Sequence, residues 1–194
     1  MTNLNPYIIL SRPQLGENIG SSARAMKNFG INNLRLISPR DGWPNKSAYA
    51  ISAGADDILD NLMCFNSLDE ATHDISLLIA TTARKRVVGT KSLNIYEAIS
   101  KSYKHTTEGG KVGFLFGAEQ SGLSNDDVVL ADFTVSMPLN KEFSSLNLSQ
   151  AVLLICWEWN RIKLIQSESK NNEVLVNKKL KKSTELSNIG DREY

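Results

Sequence analysis

Six side chains in this sequence could do chemistry together: Asn18, Arg24, Glu119, Ser144, Ser145 and Asn147. All lie in or beside polar stretches. Amides, a carboxylate and hydroxyls can fix the direction of a substrate O–H, and a guanidinium can pair with phosphate oxygens. The set can therefore orient a hydroxyl and hold phosphates. Taken alone, Arg24 is either a phosphate contact on the first turns of a helix or a surface residue.

Other chemistries lack their residues. No G-x-G-x-x-G follows the first apolar run, so a standard dinucleotide fold is not expected. GAEQSGLS (117–124) lacks the Lys-[Ser/Thr] ending of a phosphate loop, and no G-x-S-x-G is present. His73 and His105 are the only histidines, and neither sits in a promising loop. Cys64 and Cys156, both in apolar company, suggest neither a disulfide framework nor a metal cluster. No metal is expected.

The elements that must position these residues read as an α/β pattern. YIIL (7–10), NLRLI (33–37), ISLLIAT (75–81), VGFLF (112–116) and FTVSM (133–137) read as buried strands. A helix is expected over 19–29, with Asn18 as its N-cap and Gly30 as its C-cap glycine. Residues 47–54 and 67–72 read as short helices, Ile58 to Phe65 is ambiguous, and 95–103 is helical. Ser124 caps a helix over 124–131, with Asp127 three residues on. A long helix starts near Asn147 and reaches about Ile165. A strand–helix–strand alternation favours a mostly parallel sheet flanked by helices. Ligands in such sheets bind at the carboxyl ends of strands. The loops 11–20, 81–90, 117–123 and 138–147 are thus candidates for one common site.

The chain has 194 residues, 41% of them apolar and 22% charged, with a formal net charge of +1. This fits a globular domain over 1–165 followed by a lysine-rich polar tail over 166–194, flexible or the remainder of a longer extension. Total charge does not mark a nucleic-acid binder. Basic side chains nevertheless gather at Arg12, Arg24, Lys27, Arg35 and Arg40, and at Arg84, Lys85 and Arg86. The amino-terminal stretch lacks a signal-peptide pattern and no apolar run reaches the ~18 residues of a membrane span. A cytoplasmic protein with no membrane partner is expected.

Three segments carry a resemblance. ENIGSSARAMKNFG (17–30), FLFGAEQSGLS (114–124) and MPLNKEFSSLNLSQAV (137–152) resemble the three ordered motifs of the SPOUT class of RNA methyltransferases, and within it the SpoU/TrmH superfamily. The first motif, followed by LRLISP, looks closest to the TrmJ-like branch. The likeness covers roughly residues 5–162. It implies an α/β fold with a deep C-terminal trefoil knot, S-adenosylmethionine bound bent on the knot loops, and a homodimer with its active site near the subunit interface. It also implies methylation of a ribose 2′-OH of tRNA, at nucleotide 32 of the anticodon loop. Other outcomes are methylation of rRNA or another tRNA position, or a non-catalytic RNA-binding module of the same fold.

Residue by residue, the resemblance makes Asn18 and Arg24 the pair of the first motif. Arg24 would meet the ribose hydroxyl or its phosphate as proposed general base. A guanidinium gives up its proton so reluctantly that positioning and electrostatics take the larger share of that role. Glu119 is the acid of the second motif, and Ser145 and Asn147 belong to the third. Cofactor-lining positions would be Thr81, Thr82, Ala83, Gly117, Met137, Leu139, Ser145 and Leu146. RNA contacts would come from Arg12, Arg24, Lys27, Arg84, Lys85 and Arg86. One departure is that GAEQSGL carries no arginine beside its acid, where relatives of the branch do.

Overall fold

The computed structural model describes residues 4–82 and 90–168. Its seven strands are β1 (Tyr7–Ser11), β2 (Asn33–Ile37), β3 (Met63–Phe65), β4 (Leu77–Thr81), β5 (Lys91–Leu93), β6 (Val112–Phe116) and β7 (Phe133–Val135). They form one sheet in the order β3-β2-β1-β6-β4-β7-β5. Every pairing is parallel, with Ile9 opposite Arg35 on one side and Leu115 on the other. The expected mostly parallel α/β sheet is therefore present.

The central strands read as continuous apolar runs because both of their faces are covered. On one face, Ile9, Ile37, Leu78, Ala80 and Leu115 meet α4 (Leu68–Thr72) and α6 (Asn125–Val129) through Leu68, Ala71 and Val128. The other face carries Phe114. There the edge of Trp159 lies 6.2 Å from Phe114 and 5.6 Å from Tyr103 of α5 (Ile95–Thr107), between ring centroids. Trp159 belongs to the last helix, α7, over 148–168. Leu148, Val152, Ile155, Cys156 and Trp159 recur at helical spacing on α7 and are all buried. Burial pushes the Cys156 thiol far above its ordinary range, as befits a packing group. Trp157, two residues before Trp159, is half exposed.

By compactness the chain divides into Met1–Trp159 and Asn160–Tyr194. Of the second unit, residues 160–168 are described, and they are helical.

Several local expectations change. α1 runs Gly16–Asn28 and starts ahead of Asn18, so Asn18 is a residue of the first turn and not its cap. Gly30 has φ +67°, as a glycine after a helix end should. The ambiguous stretch 58–65 splits into α3 (Asp56–Asp60) and β3. α2 (Lys46–Ser52) is capped by Asn45. α5 continues to Thr107 behind a reciprocal capping box of Asn94 and Glu97. The Ser124–Asp127 box forms as the sequence suggests. Arg35, counted above among the basic patches, is 2% exposed. It forks onto both oxygens of Asp74 at 2.6 and 3.0 Å, donates to the Ala71 carbonyl, and lies 4.1 Å from the Tyr7 ring centre. It is a core residue.

Candidate functional site

The loops 11–20, 117–123 and 138–147 meet, and of the loop 81–90 the described Thr81 and Thr82 reach the same place, with 83–89 outside the described residues. After β4, β6 and β7 the chain lines a cleft of about 340 Å³ at the carboxyl ends of the strands. β6, β4 and β7 are neighbours in the sheet, and ligands in open α/β sheets bind beyond the carboxyl ends of strands. The cleft's apolar lining comes from Phe116, Leu123, Val135, Met137, Leu139 and Leu148. Polar groups come from Thr81, Thr82, Glu119, Ser144 and Ser145.

Two loops are held in shape by the backbone. The Gly122 N–H donates to the Ala118 carbonyl at 2.8 Å and closes a tight hairpin over 118–122. A Cβ at Gly117 would collide with the Gly122 and Leu123 backbone, so only glycine lets the hairpin fold back over the strand end. Farther along, the Leu139 N–H donates to the Met137 carbonyl at 2.9 Å. Thr82 donates its N–H to the Val135 carbonyl at 3.0 Å, and the Thr81 hydroxyl donates to the Leu115 carbonyl at 2.9 Å. These bonds join the β4 end to its neighbours β6 and β7.

At the mouth of the cleft, Glu119 accepts three hydrogen bonds. The Gln14 N–H comes to Oε2 at 2.7 Å, and the Leu15 N–H and Asn18 Nδ2 come to Oε1 at 3.2 and 2.7 Å. The Asn18 Oδ1 then accepts from Asn147 Nδ2 at 2.9 Å. Asn147 Oδ1 in turn accepts from the Ser149 N–H at 2.9 Å, the Ser149 hydroxyl at 2.7 Å and the Gln150 N–H at 3.4 Å, capping α7. One chain of hydrogen bonds thus ties the loop after β1, the hairpin after β6 and the start of α7. Asn18 and Glu119 lie 101 residues apart, and Asn147 is 129 residues from Asn18. Asn18, Glu119 and Asn147 are engaged with one another, with backbone and with the Ser149 hydroxyl. The hydroxyls of Ser144 and Ser145 stay exposed on the cleft side.

The remaining expected residues are placed as follows. Gly117, Met137, Leu139 and Leu146 line the cleft with Thr81, Thr82 and Ser145, whereas Ala83 lies outside the described residues. Arg24 is exposed on α1, does not line the cleft, and makes no hydrogen bond or ion pair with another described residue. Lys27 is paired with Asp57 at 2.6 Å and with the Gly54 carbonyl at 2.8 Å. Arg12, at φ +52° just past β1, is paired with the buried Asp127 and remains half exposed. Arg84, Lys85 and Arg86 lie outside the described residues. Among the described residues no cluster of His, Cys, Asp and Glu could hold a metal. No described helix is long and apolar enough to cross a membrane.

Sequence reading missed the Gln14 and Leu15 amides, whose part is played by backbone and leaves no residue signature. It also missed Ser149, whose hydroxyl completes the Asn147 cap. The cleft floor at Phe116, Val135 and Leu148 was visible only as core. The rule that ligands sit beyond strand carboxyl ends is the signal that would have flagged it.

Known proteins show the same arrangement of segments. The model of the SpoU rRNA Methylase family matches residues 5–157. An uncharacterized tRNA/rRNA methyltransferase of Haemophilus influenzae is 36% identical over 189 residues, covering 96% of this chain and 76% of that protein. The tRNA (cytidine/uridine-2'-O-)-methyltransferase TrmJ of Sodalis glossinidius is 40% identical over 154 residues. That match takes in 79% of this chain but only 60% of the Sodalis protein's length. The crystal structure of TrmJ from Z. mobilis ZM4 superposes with a TM-score of 0.77 at 43% identity, covering 90% of this chain and 80% of that one. With the three motifs joined through Asn18, Glu119 and Asn147 and the family model matching residues 5–157, the chain belongs to the SpoU rRNA methylase family, in the SpoU/TrmH superfamily on the side of its TrmJ-like branch.

Proposed function

We propose that the protein transfers a methyl group from S-adenosylmethionine to a ribose 2′-OH of tRNA, at nucleotide 32 of the anticodon loop. The observation that carries this reading is the hydrogen-bonded chain Glu119–Asn18–Asn147 at the mouth of an apolar cleft. The cleft suits the cofactor. Its volume lies in the range of small-molecule sites, its floor takes a flat apolar group, and its rim offers hydroxyls and backbone. Family membership and the activities named for TrmJ relatives support the same chemistry. In our reading the chain between β6 and α7 is threaded as a trefoil knot, which would fix both cleft walls. Residues 1–165 act as the catalytic body and 166–194 as an appendage.

When bound, S-adenosylmethionine supplies a methyl group already activated on sulfonium sulfur, so the protein's task is placement and proton removal. Met137, Leu139 and Leu146 hold the apolar part of the cofactor. Ser144 and Ser145 hold its polar edge and the incoming ribose. Asn18, Glu119 and Asn147 position these loops. Arg24 meets the 2′-oxygen or its neighbouring phosphate. Because it does not line the cleft of its own chain, we assign it to the cleft of a second copy in a homodimer. Arg12, Lys27 and the 84–86 segment follow the RNA backbone farther out.

The test is methylation of total tRNA and of rRNA with labelled S-adenosylmethionine, followed by nuclease mapping of the product. A 2′-O-methyl group at nucleotide 32 is expected. Label in rRNA, on a base or at another tRNA nucleotide would move the substrate, and no label in any RNA would overturn the reading.

A further inference from the structure

The segment joining β2 to α2, residues 38–46, carries chemistry that methyl transfer leaves unused. It is fastened at both ends. Ser38 donates its N–H to the Phe65 carbonyl and its hydroxyl to the Asn66 carbonyl, each at 3.0 Å. Asn45 caps α2 by accepting from the Ala48 N–H at 3.3 Å, and its amide fills the space a side chain at Gly16 would need. Between them the Arg40 N–H donates to the Pro13 carbonyl at 3.0 Å. Arg40 is therefore anchored to the same loop whose next two residues, Gln14 and Leu15, are held by Glu119. The hydrogen bond to Asp41 raises the Arg40 pKa, and the charge of Glu119 acts in the same direction. The Arg40 backbone is thus tied to the loop that Glu119 holds at the cleft mouth.

Two features set the segment apart from an ordinary turn. Arg40 is exposed, and Asp41 takes only its Nε and Nη2 edge, at 2.9 and 3.2 Å. An exposed pair of chain neighbours adds little to folding, so its place in the fold is not explained by stability. Trp43 is half buried and stacks on Tyr49, with ring centres 5.9 Å apart and planes 26° from parallel. The Tyr49 hydroxyl is fixed on Asp60 at 2.9 Å. A braced indole in a loop next to an arginine suits an unpaired nucleotide, since bases stack on aromatic rings and phosphates pair with guanidinium forks.

We propose that residues 40–46 form an RNA contact flanking the cleft, in which Arg40 takes a phosphate next to the target ribose and Trp43 stacks an unpaired base. This rests on the ribose-methylation reading above. Asp41 opposes the phosphate, which gives the proposal a test of two signs. The assay is steady-state methylation of tRNA by the full chain at several salt concentrations, for wild type, Arg40→Ala, Asp41→Asn, Trp43→Ala and Trp43→Phe.

Arg40→Ala should raise the KM for tRNA about tenfold and lower the slope of log affinity against log salt by about one. Asp41→Asn should lower that KM. Trp43→Ala should raise it about tenfold or more, with Trp43→Phe recovering most of the loss. S-adenosylmethionine affinity should hold in each variant, and melting temperature in Arg40→Ala and Asp41→Asn; Trp43→Ala gives up the Tyr49 stack and should melt somewhat lower, with Trp43→Phe closer to wild type. Unchanged KM in Arg40→Ala and Trp43→Ala would overturn the proposal while wild-type activity left the ribose reading intact. A KM that rises in Asp41→Asn as in Arg40→Ala would mark the pair as a brace and also overturn it. A wild type that methylates no RNA would remove both readings.

Discussion

Glu119 is the residue on which the site geometry makes its sharpest prediction. The carboxylate receives three N–H donors, and its two oxygens are not equivalent in load: Oε2 takes Gln14 alone, Oε1 takes Leu15 and Asn18. In Glu119→Gln one oxygen becomes an NH2 group. The amide would turn that group toward Gln14, because the other orientation loses two bonds. A donor then faces a donor. Loss of one charge-assisted bond is worth about 1.5–3 kcal/mol, and a half-exposed loop recovers part of that from water. About 1 kcal/mol should remain, or a melting shift of roughly 2–4 °C for a body of this size. Glu119→Ala strands all three donors and should cost more.

The larger effect should be on rate. With the Gln14 bond gone and a neutral oxygen in place of the carboxylate, Asn18 Nδ2 keeps only a weaker acceptor, and Asn147, which depends on Asn18 Oδ1, shifts with it. A misplacement of about 1 Å at a reacting centre costs roughly a hundredfold in rate. The assay is kcat and kcat/KM for tRNA methylation against pH, with S-adenosylmethionine affinity measured separately. Glu119→Gln should fall about a hundredfold in kcat while the pH profile keeps its shape. Wild-type kcat would show that the bonds do not position the site. Loss of one limb of the profile would show that Glu119 takes the proton itself, and either result refutes the bracing role.

Three further outcomes are expected. Arg24→Ala should retain cofactor affinity and lose methyl transfer. If Arg24 serves a second copy's cleft, mixing inactive Arg24→Ala with inactive Glu119→Ala should restore about a quarter of wild-type activity through mixed dimers with one intact site; no recovery would place Arg24 in its own cleft. Asp74→Asn should destabilise the fold by about 3–5 kcal/mol at neutral pH, because it leaves Arg35 buried without its anion. Arg35, and then Lys111, hold the Asp74 carboxyl well below the ordinary carboxylate range. Its stabilising effect is therefore fully present above the unfolded value near ~4 and is lost as pH falls toward the folded one. Denaturant midpoints measured from pH 7 to pH 3 should show wild type losing stability on acidification more than Asp74→Asn does. Gly117→Ala should weaken S-adenosylmethionine binding by forcing the 118–122 hairpin away from the strand end, which calorimetry would register; unchanged affinity would mean the hairpin is not a cleft wall.

What could be read from the chain divides by how far away the partner lies. β1, β2, β4 and β6 declare themselves because strands covered on both faces must be apolar throughout. The Ser124–Asp127 box is legible because donor and acceptor are three residues apart. Asn18 misleads for the same reason: a small amide at the start of a helix satisfies the local rule for a cap, yet its acceptor is 101 residues on. Arg35 misleads likewise, since nothing adjacent announces Asp74 and the Tyr7 ring. β5, three largely exposed residues on the sheet edge, has too few side chains in any core to leave a pattern.

The same division separates two kinds of site residue. Motif residues found by type, Asn18, Glu119 and Asn147, prove to be held by hydrogen bonds to each other, to backbone and to the Ser149 hydroxyl. A group held by several such bonds at once makes a good brace. The groups we propose to touch reactants are the Ser144 and Ser145 hydroxyls on the cleft side, and Arg24, which reaches no partner among the described residues of its own chain. A buried or half-buried network buys rigidity where its bonds are complete, and chemistry can enter only where they are not. On this argument the three-motif signature marks where loops from distant parts of the chain are tied together, and the methyl transfer we propose takes place beside that network of hydrogen bonds, on the side that faces the cleft.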